Sequence, residues 1–228
     1  MSNLPANLPV TERTRGRRLA KRTSHERAQI YEILDEALVC HASFVHDGQP
    51  VVLPMAHVRI DDRLYLHGST KNRMLDVLAQ GAPACVGVTL LDGLVLARSQ
   101  FHHSMNYRSV VIFGTAVDVT DPDDKQRVLA ALCEHLAPGR SRESRPGSRQ
   151  ELAGTRVLAL PIEEASAKCR SGPPLDGEED LASGFWAGVV PIALRTGAPV
   201  PSPELSPSIG ISSAVQELGA AGGWGKRS

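Results

Sequence analysis

The chain has 228 residues, 42% of them hydrophobic, and it carries 25 Lys plus Arg against 25 Asp plus Glu. This length and apolar content suit one domain with a real core. A formal net charge of zero removes the global electrostatic case for nucleic-acid binding. No apolar run approaches the roughly 20 residues that span a membrane, and the N-terminus has no apolar signal segment. Four dispersed cysteines without a C-x-x-C pair are typical of reduced thiols, so we expect a cytoplasmic protein.

Composition divides the chain into three parts. Residues 1–21 predict a flexible basic N-terminal arm, and residues 22–203 hold the regular patterns of one domain. Residues 204–228 are rich in Gly, Ala and Ser and predict a disordered tail. No aromatic residues interleave with the cations of the arm. This favours an arm that is solvated, or that covers a partner subunit or a bound phosphate, over one that binds nucleic acid.

The first half of the domain predicts one helix followed by antiparallel strands. Ser24 can cap a helix over 25–38, which carries apolar residues on one side. Asp47-Gly48 matches the turn of a two-residue β-hairpin. The strands expected in this half cover residues 38–45, 51–60 and 64–67.

The second half continues the same pattern. Asp92-Gly93 predicts another tight hairpin, and Gly114 lies inside a long strand, as at a bulge or a barrel corner. Hairpins join the strands and no βαβ alternation occurs, so we expect a mainly β protein with peripheral helices, built as a closed antiparallel barrel. The elements expected here are strands over 84–91, 94–103, 107–119 and 155–170, a helix over 122–136, and a short apolar segment over 185–192.

A turn of small and basic residues lies between the third predicted strand and a short helix. Gly68 permits the turn, and Ser69 or Thr70 can cap the helix. Lys71 and Arg73 then fall in the first helical turn, where the helix dipole disfavours cations. Hydroxyls, free amides and two cations at one helix start match a phosphate site. The alternative is that both cations are simply solvated.

Two adjoining segments, 92–99 and 101–111, resemble the flavin-nucleotide-binding branch of the pyridoxamine 5′-phosphate oxidase-like superfamily, which includes nitroimidazole-reductase-like proteins. Further similar segments occur in the same order, from about residue 22 to about residue 203; they are 66–69, 164–168 and 186–191. The resemblance implies a split β-barrel homodimer that binds FMN at the subunit interface. It also implies a flavin-dependent oxidoreductase that transfers electrons to a small oxidised acceptor.

The resemblance further implies which residues surround FMN. Ser69, Lys71 and Arg73 are expected at the phosphate, and His67 is the candidate proton donor for catalysis. The other residues expected to contact the cofactor are Arg59, Gly68, Asn106, Tyr107, Arg108, Ser109 and, from the other subunit, Trp186. The segment 188–191 replaces the arginine-containing substrate motif of the vitamin-synthesising oxidases, which argues against oxidation of pyridoxamine phosphate.

Three alternatives remain open at this point: a flavin carrier or sensor without turnover, a haem-binding barrel, and a barrel that binds deazaflavin in place of FMN. His102-His103 does not predict a metal site, because neighbouring residues on a strand point to opposite faces.

Overall fold

The computed structural model describes residues 4–220, and within them ten β-strands form one sheet with five α-helices around it. The strands are β1 (Thr23–Ser24), β2 (Val39–His46), β3 (Gln49–Ile60), β4 (Arg63–Ser69), β5 (Pro83–Leu96), β6 (Ser104–Thr115), β7 (Val117–Asp118), β8 (Thr155–Pro161), β9 (Glu164–Arg170) and β10 (Gly188–Pro191). The helices are α1 (Arg27–Glu36), α2 (Arg73–Ala79), α3 (Pro122–Leu136), α4 (Arg149–Ala153) and α5 (Ser213–Ala220). The prediction of a mainly β protein with peripheral helices is confirmed.

Neighbouring strands follow the order β1-β9-β6-β5-β2-β3-β4-β8-β7, and β10 pairs with β5. All these pairs are antiparallel. Because β6 occupies one edge of β5, β2 and β10 share the other edge. Within residues 4–220 the hydrogen-bonded order ends at β1 and β7, so the sheet is not the closed barrel that the sequence predicts.

Apolar side chains fill the inner face of this sheet. The main core joins the inward residues of β2, β4, β5, β6, β8 and β9 to helices α1 and α2. Helix α1 contributes Ile30, Ile33 and Leu34, which are fully buried. Each such side chain stabilises the fold by about 1.5–3 kcal/mol relative to exposure. A smaller cluster lies where α3 packs on the other face, through Val128 and Leu132.

The two Asp-Gly pairs take different conformations. Asp47 and Gly48 have φ angles of 51° and 73°, so the predicted hairpin between β2 and β3 is confirmed. The prediction of a second hairpin at Asp92-Gly93 is wrong. β5 runs through Asp92 and Gly93, with a register shift against β6, and ends at Leu96. Pairing with β6 on one edge and with β10 on the other holds this segment extended.

Other boundaries also differ from prediction. The strand expected over 155–170 is two strands, β8 and β9, and the Ile162 amide between them donates to the Asp62 carbonyl at 2.8 Å. The strand expected over 107–119 is divided between β6 and β7. Where the sequence predicts a disordered tail, α5 forms, and the Ala214 amide donates to Glu143 at 3.1 Å. The rest of the predicted tail, 221–228, lies outside the described residues.

The basic arm packs against the domain. The Leu8 side chain is buried, and its amide donates to the His25 carbonyl at 2.8 Å. Arg13 pairs with Glu164 of β9 and lies 4.8 Å from the ring centroid of Phe113 in β6. The arm therefore covers one corner of the outer sheet face. None of the helices in residues 4–220 is long and apolar enough to span a membrane.

Candidate functional site

The turn between β4 and α2 is shaped by two side chains. The Asn72 carboxamide oxygen accepts hydrogen bonds from the amides of Met74 (2.9 Å) and Leu75 (3.3 Å), so Asn72 caps α2. The prediction that Ser69 or Thr70 caps this helix is therefore wrong. Ser69 instead accepts a hydrogen bond from the Lys71 amide at 3.1 Å, which curls the chain before the helix begins.

Gly68 is required at this turn by a close approach. A Cβ atom there would lie 2.9 Å from Cδ1 of Leu75, which is fully buried on α2. The absence of a side chain lets α2 pack directly onto the end of β4. The turn is therefore held against the core by the packing of Leu75 on Gly68 and by the Asn72 cap of α2.

We expect loss of the Asn72 cap to destabilise the fold measurably. Asn72→Ala leaves two amides without a partner and should lower the free energy of unfolding by about 1 kcal/mol. Urea denaturation of the variant and the wild type measures this change. Thr70→Ala is the control, because the Thr70 side chain makes no hydrogen bond within residues 4–220. Equal stability of Asn72→Ala and wild type would contradict the assignment of the cap.

The turn carries positive charge that the protein does not neutralise. Lys71 and Arg73 are exposed, and neither has an acidic partner in the part of the chain that the structure describes. Arg156, on the adjoining strand β8, is by contrast paired with Asp76 at 2.8 Å and with Asp118 at 3.5 Å. Two cations beside a small-residue turn can therefore receive an external anion without breaking an internal ion pair.

His67 precedes this turn on β4 and lies opposite Val157 of β8. It is partly buried, and burial lowers the pKa of its imidazole, so the neutral ring predominates at pH 7. Neither ring nitrogen has a hydrogen-bond partner among residues 4–220. A neutral imidazole with unused nitrogens can donate or accept a proton, or bind a metal ion.

Arg59 lies away from the turn. It pairs with Leu64 near the start of β4, about 16 Å along the strand from Ser69. Its guanidinium donates to both carboxylate oxygens of Asp35 (2.8 and 2.6 Å) and to the Asp61 carbonyl (2.6 Å). All three nitrogens are thus engaged within the protein, and a flavin contact by Arg59 stays a prediction.

Three of the four predicted residues of β6 make side-chain hydrogen bonds within the protein. Arg108 donates to Glu36 and Asp92, and these carboxylates raise the pKa of its guanidinium. The Ser109 hydroxyl donates to the Lys168 carbonyl at 3.1 Å. Asn106 is buried and accepts a hydrogen bond from Arg170, and Tyr107 lies directly opposite Arg170 in the sheet. Their contacts with a cofactor stay predictions.

Arg108 also lines a pocket that the sequence analysis missed. The pocket has a volume of about 440 Å³ and is bounded by Leu90, Ile192 and the ion pairs of Arg108 with Glu36 and Asp92. Its parts come from α1, β5, β6 and the segment after β10. No local sequence pattern connects these elements, so the pocket becomes visible only in the folded chain.

An open apolar face lies on the outside of β3, β2, β5 and β6. His41 pairs with Pro54 on one side and with Gly87 on the other, and Gly87 pairs with Val111. A Cβ atom on Gly87 would have no heavy atom within 4 Å, so this part of the face is flat and uncovered. The exposed apolar side chains of this face include Val39, Val45 and Val52.

Trp186 is 66% exposed and precedes β10. The Trp186 indole packs against the backbone of Gly188, since a Cβ atom on Gly188 would lie 2.9 Å from the indole ring. Contact of this indole with a flavin of another subunit stays a prediction. No cluster of three or more potential metal ligands occurs within residues 4–220.

Comparison with known proteins defines the class. A sequence profile of the pyridoxamine 5′-phosphate oxidase family matches residues 26–169. An FAD- and haem-binding protein from Mycobacterium smegmatis is 40% identical, with a TM-score of 0.85 over 90% of this chain and 100% of that one. The flavocytochrome Anf3 from Azotobacter vinelandii is 36% identical, with a TM-score of 0.86 over 91% of this chain and 97% of that one.

The fold is thus the pyridoxamine 5′-phosphate oxidase-like fold, as the resemblance indicates. The chain belongs to the pyridoxamine 5′-phosphate oxidase family. A protein from Bacteroides thetaiotaomicron named for 5-nitroimidazole antibiotic resistance shares the fold at 20% identity, with a TM-score of 0.55 over 64% of this chain and 85% of that one. None of the curated proteins compared with the chain matches it significantly.

Proposed function

We propose that this protein is a flavin- and haem-binding oxidoreductase of the flavocytochrome type. The observation that carries the proposal is its similarity, over nearly the whole chain, to two proteins named for these cofactors. Haem binding, which the sequence leaves open as one alternative, is therefore included in this proposal. The reaction is electron transfer to a small oxidised acceptor, as the family resemblance implies.

The turn after β4 fits the phosphate of a flavin nucleotide. Lys71 and Arg73 supply two cations that no acid within residues 4–220 pairs with, and the Ser69 hydroxyl lies beside them at the start of the turn. FMN and FAD share the phosphate next to the ribityl chain, so the same residues can hold either. The family resemblance implies FMN, whereas the similar Mycobacterium smegmatis protein is named for FAD, and we propose FAD.

The open apolar face fits a second copy of the chain. Several exposed apolar side chains on one sheet face, including Val39, Val45 and Val52, are typical of an interaction surface. A homodimer would bury them, exclude water from a cofactor at the interface, and let the exposed Trp186 of one subunit reach the other. This proposal retains the dimer that the family resemblance implies.

His67 would be suited to hold a haem iron. Haem iron binds a neutral imidazole, burial favours the neutral form of the His67 ring, and neither ring nitrogen has a partner within residues 4–220. His41 also lacks a partner within residues 4–220, but it is exposed on the open face. A bound flavin and a bound haem supply two-electron and one-electron redox chemistry respectively. The chain itself supplies the cations that would bind the flavin phosphate, the histidine that would bind the iron, and the apolar surface that would exclude water.

The haem assignment is tested by absorbance spectra of the purified wild type, His67→Ala and His103→Ala. We expect the wild type to show a haem Soret band together with flavin absorbance. His67→Ala should lose the Soret band or shift it, and imidazole added to that variant should restore it. His103→Ala is the matched control, because His103 is exposed and lies outside the open apolar face, and it should keep the wild-type spectrum. A wild-type Soret band that is unchanged in His67→Ala would contradict the proposed ligand.

A further inference from the structure

Arg170 is a buried cation without a counter-charge. It ends β9, is only 7% exposed, and donates to the Asn106 carboxamide oxygen and to the carbonyls of Gly172 (3.3 Å) and Pro173 (3.2 Å). All of these acceptors are neutral, and no acidic side chain within residues 4–220 contacts it. A buried arginine is normally paired with an anion, because an isolated charge is costly to remove from water.

Two further cations lie around Arg170. The short 3₁₀ turn that ends at Arg22 packs against β9, and the next residue, Thr23, pairs with Lys168 in the sheet. Neither Arg22 nor Lys168 has a side-chain partner among residues 4–220. Burial and the nearby charge of Arg22 both lower the pKa of Arg170. The described part of the chain thus brings three positive charges together at this edge of the sheet, and none of its acidic side chains pairs with them.

We propose that Arg170, Arg22 and Lys168 form a second anion-binding site, which takes a phosphoryl or carboxylate group. Asn106 fixes the guanidinium from one side, and the Tyr107 phenol lies on the neighbouring strand. This site shares no residue with the turn at Ser69, and in the strand order β9 and β4 are five positions apart.

The anion has two possible sources with the same chemistry. It is either a free oxyanion such as phosphate, or the carboxylate or phosphate of a bound cofactor. The second source rests on the proposed function, and the first does not. Arg22→Gln combined with Lys168→Gln removes the two accessible charges and leaves the buried Arg170 in place. Arg63→Gln combined with Arg149→Gln is the control with the same net charge, since both residues are exposed and belong to β4 and α4, which do not carry this site.

The test has two readouts on the full-length protein as purified. The first is the rise in Tm with increasing inorganic phosphate or pyrophosphate in a buffer that contains no other oxyanion. The second is the haem and flavin content per chain. If the anion is free, the control and the wild type gain Tm, and the Arg22/Lys168 variant requires at least about tenfold more anion for the same gain. If the anion belongs to a cofactor, the Arg22/Lys168 variant loses cofactor and the control does not.

The proposal is overturned if the Arg22/Lys168 variant equals the control in both readouts. A wild type without haem or flavin contradicts the proposed function, and the phosphate titration then still decides whether the anion site exists. Arg170→Lys provides a second variant that keeps the buried charge but not the fork of donors. We expect it to weaken the anion response if it folds, as judged by its circular dichroism spectrum.

Discussion

Replacing Lys71 and Arg73 together by alanine should weaken flavin binding by roughly 100-fold or more. Both side chains lie at the turn after β4, and neither is needed for an internal ion pair within residues 4–220. Each charge-assisted hydrogen bond to a phosphate is among the stronger polar contacts in proteins. Quenching of flavin fluorescence during titration with the protein measures the affinity of the wild type and of the variant.

The control variant has the same net charge as the Lys71/Arg73 variant. Arg63→Ala combined with Arg149→Ala removes two exposed cations, one of them at the opposite end of β4. The control should bind flavin as the wild type does, and both variants should unfold at the wild-type urea concentration. If the Lys71/Arg73 variant keeps its affinity, the phosphate lies elsewhere, and the site at Arg170 becomes the next candidate.

The second large effect concerns stability in acid. His57 is 0% exposed, its Nε2 atom lies 3.1 Å from the Leu34 carbonyl, and its Nδ1 atom has no hydrogen-bond partner within residues 4–220. Burial lowers the pKa of this imidazole from 6.5 to about 4. The unfolded chain binds the proton more tightly than the folded chain, so stability falls as the pH drops from about 6.5 to about 4. A shift of this size corresponds to about 3 kcal/mol.

Urea denaturation between pH 7 and pH 4 tests this prediction. In His57→Gln the amide can still donate to the Leu34 carbonyl but cannot titrate, so the variant should lose much less stability on acidification than the wild type. His103→Gln is the control, because His103 is exposed and lies outside the open apolar face. The His135 ring lies 5.6 Å from His57 and also lowers the pKa of His57. The same pH slope in His57→Gln and wild type would contradict the account.

The comparison of the two Asp-Gly pairs shows what local sequence can predict. Asp47-Gly48 and Asp92-Gly93 carry the same hairpin signal, but only the first pair adopts positive φ angles. The second pair is held extended by β6 and β10, and β10 comes from a segment about 100 residues later in the chain. The order of helices and strands and the apolar faces follow from periodicity, whereas strand pairing at such distances does not.

The residues of the candidate site also divide into those that local sequence can place and those whose partners are distant in the chain. Gly68, Ser69, Lys71 and Arg73 are consecutive or nearly so, and the sequence places them at one turn, where the structure has them. Arg59 and Arg108 are different, because their acidic partners lie far from them in the sequence. These partners are Asp35 for Arg59, and Glu36 and Asp92 for Arg108. The uncompensated charge of Arg170 is likewise a property of the folded chain alone.

The absorbance spectrum of the full-length protein as purified, followed by chromatography of the cofactors that it releases, tests the central claim most directly. The account predicts flavin absorbance and a Soret band in one protein, with FAD as the released flavin and close to one flavin and one haem per chain. Release of FMN would keep the flavin site and correct the choice of nucleotide. A colourless protein that binds neither flavin nor haem on titration would contradict the proposed function and leave only the fold.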